Sequence, residues 1–68
     1  MNKVDINNAS YNEILSLPLT KEKNQKIWEY VSLSGRINTI YDLTQVELLS
    51  IKDIHLLKNH IRITEKKI

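Results

Sequence analysis

Three lysines lie close together where the sequence predicts the start of a helix: Lys21, Lys23 and Lys26. Lysine is one of the side chains that contact the phosphates of nucleic acids, so this cluster could bind a phosphate group. The alternative is an ordinary solvated helix face, because Glu22 and Glu29 lie among the lysines and balance their charge. The sequence alone leaves both interpretations open.

A second and weaker set of basic residues follows further along the chain, at Lys52 and Lys58. Glu47 and Asp53 dilute the positive charge there, so we expect this set to attract an anion less strongly. Arg36 follows the single glycine of the chain and is either a further contact to the anion or a plain surface residue.

Two hydroxyl residues, Thr20 and Ser50, precede the two basic sets. Capping of a helix N-terminus explains both residues, at about 1 kcal/mol each, and a hydroxyl can also donate to a phosphate oxygen. Trp28 is a stacking platform, an anchor for a partner, or a large side chain of the core. The core interpretation is favoured for Trp28, because the chain contains no Phe.

The histidines indicate neither a metal site nor a catalytic centre. His55 and His60 are five residues apart, whereas paired histidine ligands on one helix face are four apart. The chain has no Cys, no Gly-rich nucleotide loop and no pattern that suggests a Ser–His–Asp triad. We therefore expect no catalytic residues, no metal and no cofactor.

Composition predicts one small globular domain. The chain has 68 residues, 41% of them hydrophobic, and a net charge of +2, which is mildly basic. No apolar stretch approaches the roughly 18 residues that span a membrane. We expect a soluble domain that makes no membrane contact itself. The sequence does not indicate the cellular compartment.

The first part of the chain predicts an extended segment followed by a short helix. Apolar and polar residues alternate over residues 4–7, which is typical of extended backbone. Ser10 and Glu13 have the spacing of a capping box, in which each side chain binds the other residue's amide. The first helix should run from about Tyr11 to Leu17 and end before Pro18, which lacks an amide hydrogen.

A longer second helix is predicted from Lys21 to Ser34. Thr20 is in position to cap its N-terminus. Gly35, the only glycine in the chain, is placed to end the helix in a left-handed backbone conformation.

Two further short helices are predicted in the second half. Thr39 should cap a helix that ends near Gln45. Ser50 should cap a helix of residues 51–59, with Asp53 in the place of the usual Glu of a capping box.

The two halves of the chain match each other at apolar and capping positions. The matched pairs are Ile14 with Leu43, Leu17 with Val46, Thr20 with Ser50, and Ile27 with Leu57. The first turn is one residue shorter than the second. We expect an all-α fold of four to five short helices, in one domain of residues 1–63 with hairpins at about 10–34 and 39–60. Residues 61–63 should be extended, and residues 64–68 should form a flexible tail.

A family resemblance rests on a longer set of residues. These are Val4-Asp5-Ile6-Asn7-Asn8-Ala9-Ser10, Glu13, Leu17-Pro18, Ile27, Glu29-Tyr30, Gly35, Ile40, Asp42-Leu43, Val46 and Ile54. Over roughly residues 4–63 the chain resembles the tandem helix-hairpin-helix domain of the bacterial competence protein ComEA family. The resemblance implies two helical hairpins that bind the backbone of double-stranded DNA without sequence preference.

The turns of this chain differ from those of the family, which carry a Gly-hydrophobic-Gly sequence. Glycines allow the backbone to approach a phosphate closely, and the amides that begin the next helix then bind the anion. Neither turn contains glycine here, and Leu48 and Ser50 occupy the glycine positions of the second turn. The resemblance therefore supports the fold more strongly than the function.

Two functions follow as hypotheses. The first is non-specific binding of double-stranded DNA, with contacts to phosphates from Thr20, Lys21, Lys23, Lys26, Ser50, Lys52 and Arg36. The second is a non-enzymatic protein-interaction or structural module that kept the fold, in which Leu19, Leu48 and Leu49 at the hairpin turns contact a partner or pack. An exposed apolar patch at these leucines would favour the second hypothesis.

Overall fold

The computed structural model describes residues 3–65, and helices make up most of its regular structure. The elements are β1 (Val4–Asp5), α1 (Tyr11–Leu15), α2 (Lys21–Ser34), a 3-10 helix (Ile40–Gln45), α3 (Ile51–Leu57) and β2 (Ile61–Arg62). Helix α1 packs against α2, and the 3-10 helix packs against α3. The prediction of a small, mainly helical fold is confirmed.

Helix α1 begins where the sequence predicts and ends two residues earlier than expected. The hydroxyl of Ser10 accepts a hydrogen bond from the Glu13 amide at 3.2 Å, and the Glu13 carboxylate accepts one from the Ser10 amide at 3.0 Å. The helix ends at Leu15 rather than at Leu17 because Pro18 disfavours helical backbone at the residue before it.

Helix α2 has the predicted bounds at both ends. Thr20 Oγ1 accepts a hydrogen bond from the Lys23 amide at 3.2 Å, which caps the N-terminus. Gly35 has a φ of 81°, which residues with a Cβ rarely adopt, and its amide donates to the Val31 carbonyl at 2.9 Å.

The second half is helical, and its last helix is shorter than predicted. Residues Ile40–Gln45 form a 3-10 helix, and the Asp42 carboxylate accepts a hydrogen bond from the Thr39 amide at 3.2 Å. Helix α3 begins after the predicted Ser50 cap and spans Ile51–Leu57, two residues less than expected. The chain then turns into β2.

The two ends of the chain pair as parallel strands, which the all-α prediction did not include. Val4 is aligned with Ile61 and Asp5 with Arg62, and the Val4 amide donates to the His60 carbonyl at 2.9 Å. Extended backbone was predicted at both places. The pairing was missed because alternation of residue types does not reveal which segment lies alongside.

One hydrophobic core is shared by both halves. It contains Ile6, Ile14, Leu17, Ile27, Val31, Ile37, Leu43, Val46, Ile54, Leu57 and Ile61. Residues that match in the sequence repeat are exposed to the same extent: Ile14 and Leu43 at 0%, Leu17 and Val46 at 5%, and Ile27 and Leu57 at 0%. The repeat therefore has a physical counterpart, since each half contributes equivalent side chains to the core.

The C-terminal segment is bonded to the start of the chain. Thr64, which the sequence placed in the tail, donates from its hydroxyl to Asp5 Oδ2 at 2.6 Å. Residues 66–68 of the predicted tail, and residues 1–2 of the predicted domain, lie outside the described residues. Within residues 3–65, no helix is both long enough and apolar enough to cross a membrane.

Candidate functional site

Two of the three clustered lysines form ion pairs within the chain. Lys23 Nζ lies 2.8 Å from Asp53 Oδ2. Lys26 Nζ lies 3.6 Å from a carboxylate oxygen of Glu29 and 3.9 Å from one of Glu47. The contacts with Asp53 and Glu47 connect α2 to the second half of the chain, whereas the contact with Glu29 lies within α2. Neither lysine therefore presents an unbalanced charge to a phosphate.

Lys21 is the remaining member of that cluster. It is exposed, at the first position of α2, and no ion pair of Lys21 is found within the described part of the chain. The predicted cluster of three positive charges is therefore reduced to one available charge at the start of α2.

Asp53 occupies the N-terminus of α3, where the DNA hypothesis places an anion. Its Oδ2 accepts hydrogen bonds from the Ser50 amide at 3.0 Å and from Lys23 Nζ at 2.8 Å. The hydrogen bond from Lys23, followed by that from the Ser50 amide, lowers the pKa of the Asp53 carboxyl below its ordinary value. The carboxylate therefore stays charged, and it repels a phosphate that approaches this helix end.

The other predicted contact residues are exposed but lie on separate elements. Thr20 Oγ1 already accepts the capping hydrogen bond of α2, although its hydroxyl hydrogen can still be donated. Lys52 lies in α3, and Arg36 lies in the connection that follows α2. The basic residues are thus spread over three places in the fold.

Leu48 has unusual backbone geometry for a bulky residue. Its φ is 73°, and it is the one residue other than glycine with a positive φ among those that the structure describes. In this region the Cβ crowds the following carbonyl oxygen, at a cost of about 1–2 kcal/mol. The second turn thus places leucine in a backbone conformation that suits glycine.

The three turn leucines differ in exposure. Leu48 is 50% exposed, whereas Leu19 and Leu49 are half-buried and pack against the core. Leu19 and Leu49 therefore have the predicted packing role, whereas the side chain of Leu48 is accessible to a partner.

A groove lies between the C-terminal half of α2 and the second turn. Its apolar lining includes Tyr30, Leu33 and Val46, and its acidic rim is formed by Glu29 and Glu47. The volume is about 270 Å³. The groove could not be predicted from the sequence, because its residues come from two segments that only the fold brings together.

Asn24 is a buried polar residue that was not predicted from the sequence. Its side-chain amide donates to the carbonyls of Leu15 and Leu17, both at 3.0 Å, and only 1% of Asn24 is exposed. Asn24 therefore stabilises the backbone of the first turn through these hydrogen bonds. A signal was available, since Asn24 lies on the same helical face as Ile27 and Val31, where an apolar residue is expected.

Asn7 is a second buried polar residue without a role in the sequence-based hypotheses. Its side chain donates to the Ile37 carbonyl at 2.9 Å and to the Thr64 carbonyl at 2.8 Å, and it accepts from the Ile37 amide at 2.8 Å. Asn7 belongs to the Asp-Ile-Asn motif that carries the family resemblance. Its contacts give that motif a structural role.

Asp5 of the same motif is held in its charged form. Burial opposes ionisation, but hydrogen bonds from Thr64 and Asn8 outweigh it and lower the pKa of the Asp5 carboxyl below its ordinary value. This carboxylate connects the N-terminal segment to the C-terminal one.

The aromatic pair Tyr11 and Trp28 joins α1 to α2. The ring centroids are 5.5 Å apart and the ring planes are inclined at 69°, an edge-to-face arrangement. Trp28 is half-buried against the core. Packing therefore accounts for Trp28 without a stacking role.

Within residues 3–65, no group of three or more His, Asp or Glu side chains is arranged to hold a metal ion. Comparisons with known proteins found no matching family model, no matching curated protein and no matching solved structure. The resemblance to the ComEA family therefore stays a prediction that rests on the residues quoted above.

Proposed function

We propose that this chain is a non-enzymatic protein-interaction module with a tandem helix-hairpin-helix arrangement, and that its second turn contacts the partner. The observation that carries this proposal is Leu48, a half-exposed leucine with a positive φ. A residue with a strained backbone persists only where the surrounding fold holds it in place. Such residues are concentrated at functional sites.

The packing of the second turn supports this role for Leu48. Leu49 packs against the core, and Val46 is buried within it, so the turn is anchored without the Leu48 side chain. Glycine at position 48 would remove the strain. A side chain that adds strain and exposes apolar surface, yet is not needed to anchor the turn, is suited to contact a partner.

The charge arrangement also supports a protein partner over DNA. Lys23 and Lys26 are paired within the chain, and Asp53 places a carboxylate at the start of α3. Binding to the DNA backbone depends on cations that are free to neutralise phosphates.

Affinity capture tests this proposal. The tagged chain is used to retain proteins from a lysate of its source, in parallel with the variants Leu48→Gly and Leu56→Ala. Leu56 is a matched control because it is also an exposed leucine of the second half. We expect a protein that is retained by the wild type and by Leu56→Ala and lost with Leu48→Gly. Equal retention by all three folded proteins would rule out Leu48 as the contact.

Binding of double-stranded DNA is the second candidate. Exposed Lys21 and Thr20 at the start of the 14-residue helix α2 favour it, together with Lys52. Fluorescence anisotropy of a labelled duplex at low and at moderate salt tests this candidate. Saturable binding that weakens with salt, and that Lys21→Ala with Lys52→Ala abolishes, would establish DNA binding in place of the protein-interaction proposal.

A further inference from the structure

We propose that the groove beside the second turn docks a peptide segment of the partner in which one large apolar side chain is flanked by lysine or arginine. This inference rests on the proposed protein-interaction function and specifies the chemistry of the partner. The groove is formed by Glu29, Tyr30, Leu33, Val46 and Glu47, with Lys26 at its rim.

The apolar character of the groove comes from both of its walls. Leu33 is 89% exposed at the end of α2, although leucine is an apolar residue that usually packs. Val46 is buried below the groove and Tyr30 is half-buried beside it. An apolar side chain seated here would cover Leu33 and extend the core outward.

The size of the groove favours a single side chain. Its volume of about 270 Å³ lies below the range of roughly 300–1,000 Å³ that is usual for small-molecule pockets. One large side chain with a short stretch of extended backbone matches this space.

The rim of the groove is acidic on a chain whose net charge is +2. Glu29 is 60% exposed and Glu47 is 82% exposed, and Lys26 is shared between them at 3.6 Å and 3.9 Å. Two carboxylates against one ammonium group leave a negative charge at the rim. Charge complementarity therefore selects a basic segment and disfavours a polyanion such as DNA.

Lys26 leaves both glutamates able to bind a basic partner. Neither of its distances to the glutamates is that of a close hydrogen bond, so each carboxylate keeps sites that can accept a donor. A lysine or arginine on each side of the apolar side chain would then reach one glutamate each.

Nuclear magnetic resonance titration tests this inference. The isotope-labelled chain is titrated with the capped peptide Gly-Lys-Leu-Lys-Gly, and in parallel with Gly-Glu-Leu-Glu-Gly and Gly-Lys-Ser-Lys-Gly. We expect the first peptide to give saturable shifts in the amides of Glu29, Leu33, Val46 and Glu47. The second peptide lacks the charge and the third lacks the apolar side chain, so both should give much smaller shifts.

Two variants separate the apolar and the acidic contributions. Leu33→Ser should weaken binding of the first peptide about tenfold, because the exposed leucine supplies apolar contact area. Glu29→Gln with Glu47→Gln should weaken it and remove its dependence on salt. All three side chains are exposed, so the fold is expected to persist, and circular dichroism checks this.

The outcomes distinguish this inference from the proposed function. Absence of shifts at the groove, equal shifts with the acidic peptide, or unchanged binding by Leu33→Ser would each overturn the groove assignment. If Leu48→Gly still abolishes capture of a partner in that case, the interaction function stands and only the chemistry of the partner is wrong. If capture by Leu48→Gly is also unchanged, both proposals fall.

Discussion

At the scale of single residues, two side chains determine how the turns are built. Asn24 supplies hydrogen-bond donors to the first turn, where Pro18 has no amide of its own. The matching position in the second half is Ile54, a core residue, so the two turns are stabilised differently. Leu48 holds the second turn in a conformation that suits glycine.

Replacement of Asn24 by Ala should lower the free energy of unfolding by about 1–3 kcal/mol, because the part-buried carbonyl of Leu15 and the buried carbonyl of Leu17 lose their donor. Urea denaturation followed by circular dichroism measures this change. Asn12→Ala is the control, since Asn12 is an exposed asparagine of α1, and it should change stability by less than about 0.5 kcal/mol. Equal stabilities of the two variants would contradict the assigned role of Asn24.

The strain at Leu48 predicts that glycine is more stabilising than alanine at this position, the reverse of their order within a helix. Leu48→Gly should be more stable than Leu48→Ala by about 1 kcal/mol, because Ala keeps the Cβ that the positive φ disfavours. At Ser32, an exposed position of α2, the order should be the ordinary one, with Ala more stable than Gly by about 1 kcal/mol. Urea denaturation of the four variants tests both orders, and the same order at both sites would argue against strain at Leu48.

At the scale of elements, a polar contact joins the first half to the second. Asp53 accepts a hydrogen bond from the amide of Ser50, which completes the capping box of α3, and it also pairs with Lys23 of α2. One carboxylate therefore serves both elements. Its pKa is lowered below the ordinary value of 3.8. The folded state therefore binds fewer protons than the unfolded state as the pH approaches this value from above.

The lowered pKa of Asp53 predicts an acid-sensitive contribution to stability. The contribution is complete above pH 3.8 and is lost as the pH falls through the lower pKa of the folded state. Asp53→Asn should reduce the free energy of unfolding by about 1–2 kcal/mol at neutral pH and by less under acidic conditions. Urea denaturation over a pH series measures both effects.

Glu22 provides the control for this pH dependence. It is an exposed carboxylate in the first turn of α2, and no ion pair of Glu22 is found in residues 3–65. Glu22→Gln should leave the acid-dependent loss of stability nearly unchanged. Asp5 also has a lowered pKa, so Asp53→Asn should reduce the acid dependence without abolishing it. An unaltered pH profile for Asp53→Asn would contradict the assignment.

At the scale of the whole molecule, the ends of the chain close the fold. Strands β1 and β2 pair in parallel, and Asn7 connects three segments that are distant in sequence. A chain of this length buries a limited fraction of its surface, so each long-range contact matters to its stability.

Asn7→Ala should therefore be strongly destabilising, by about 3 kcal/mol, because it leaves buried polar groups of Ile37 without partners. Hydrogen exchange should also be faster at the Ile37 amide, which donates to Asn7 at 2.8 Å. Asn59→Ala, at an exposed asparagine after α3, is the control and should behave as the wild type. Unchanged exchange at Ile37 in a folded Asn7→Ala variant would contradict this role.

The features that could be predicted from the sequence are local ones. The Ser10, Thr20 and Ser50 caps, the bounds of α2 and the positive φ of Gly35 depend on residues within a few positions of each other. Six core positions followed from the repeat, as the matched pairs Ile14 with Leu43, Leu17 with Val46, and Ile27 with Leu57. Helical periodicity places such apolar residues on one face.

The tertiary structure decided the features that depend on how distant segments are placed. Among them are the strand pairing, the ion pair between Lys23 and Asp53, the groove at Leu33 and the exposure of Leu48. Residue types indicate which groups can pair, but a contact forms only where packing brings the two groups within a few ångströms. For this reason two of the three lysines that suggested phosphate binding in the sequence, Lys23 and Lys26, form ion pairs with the second half of the chain in the fold.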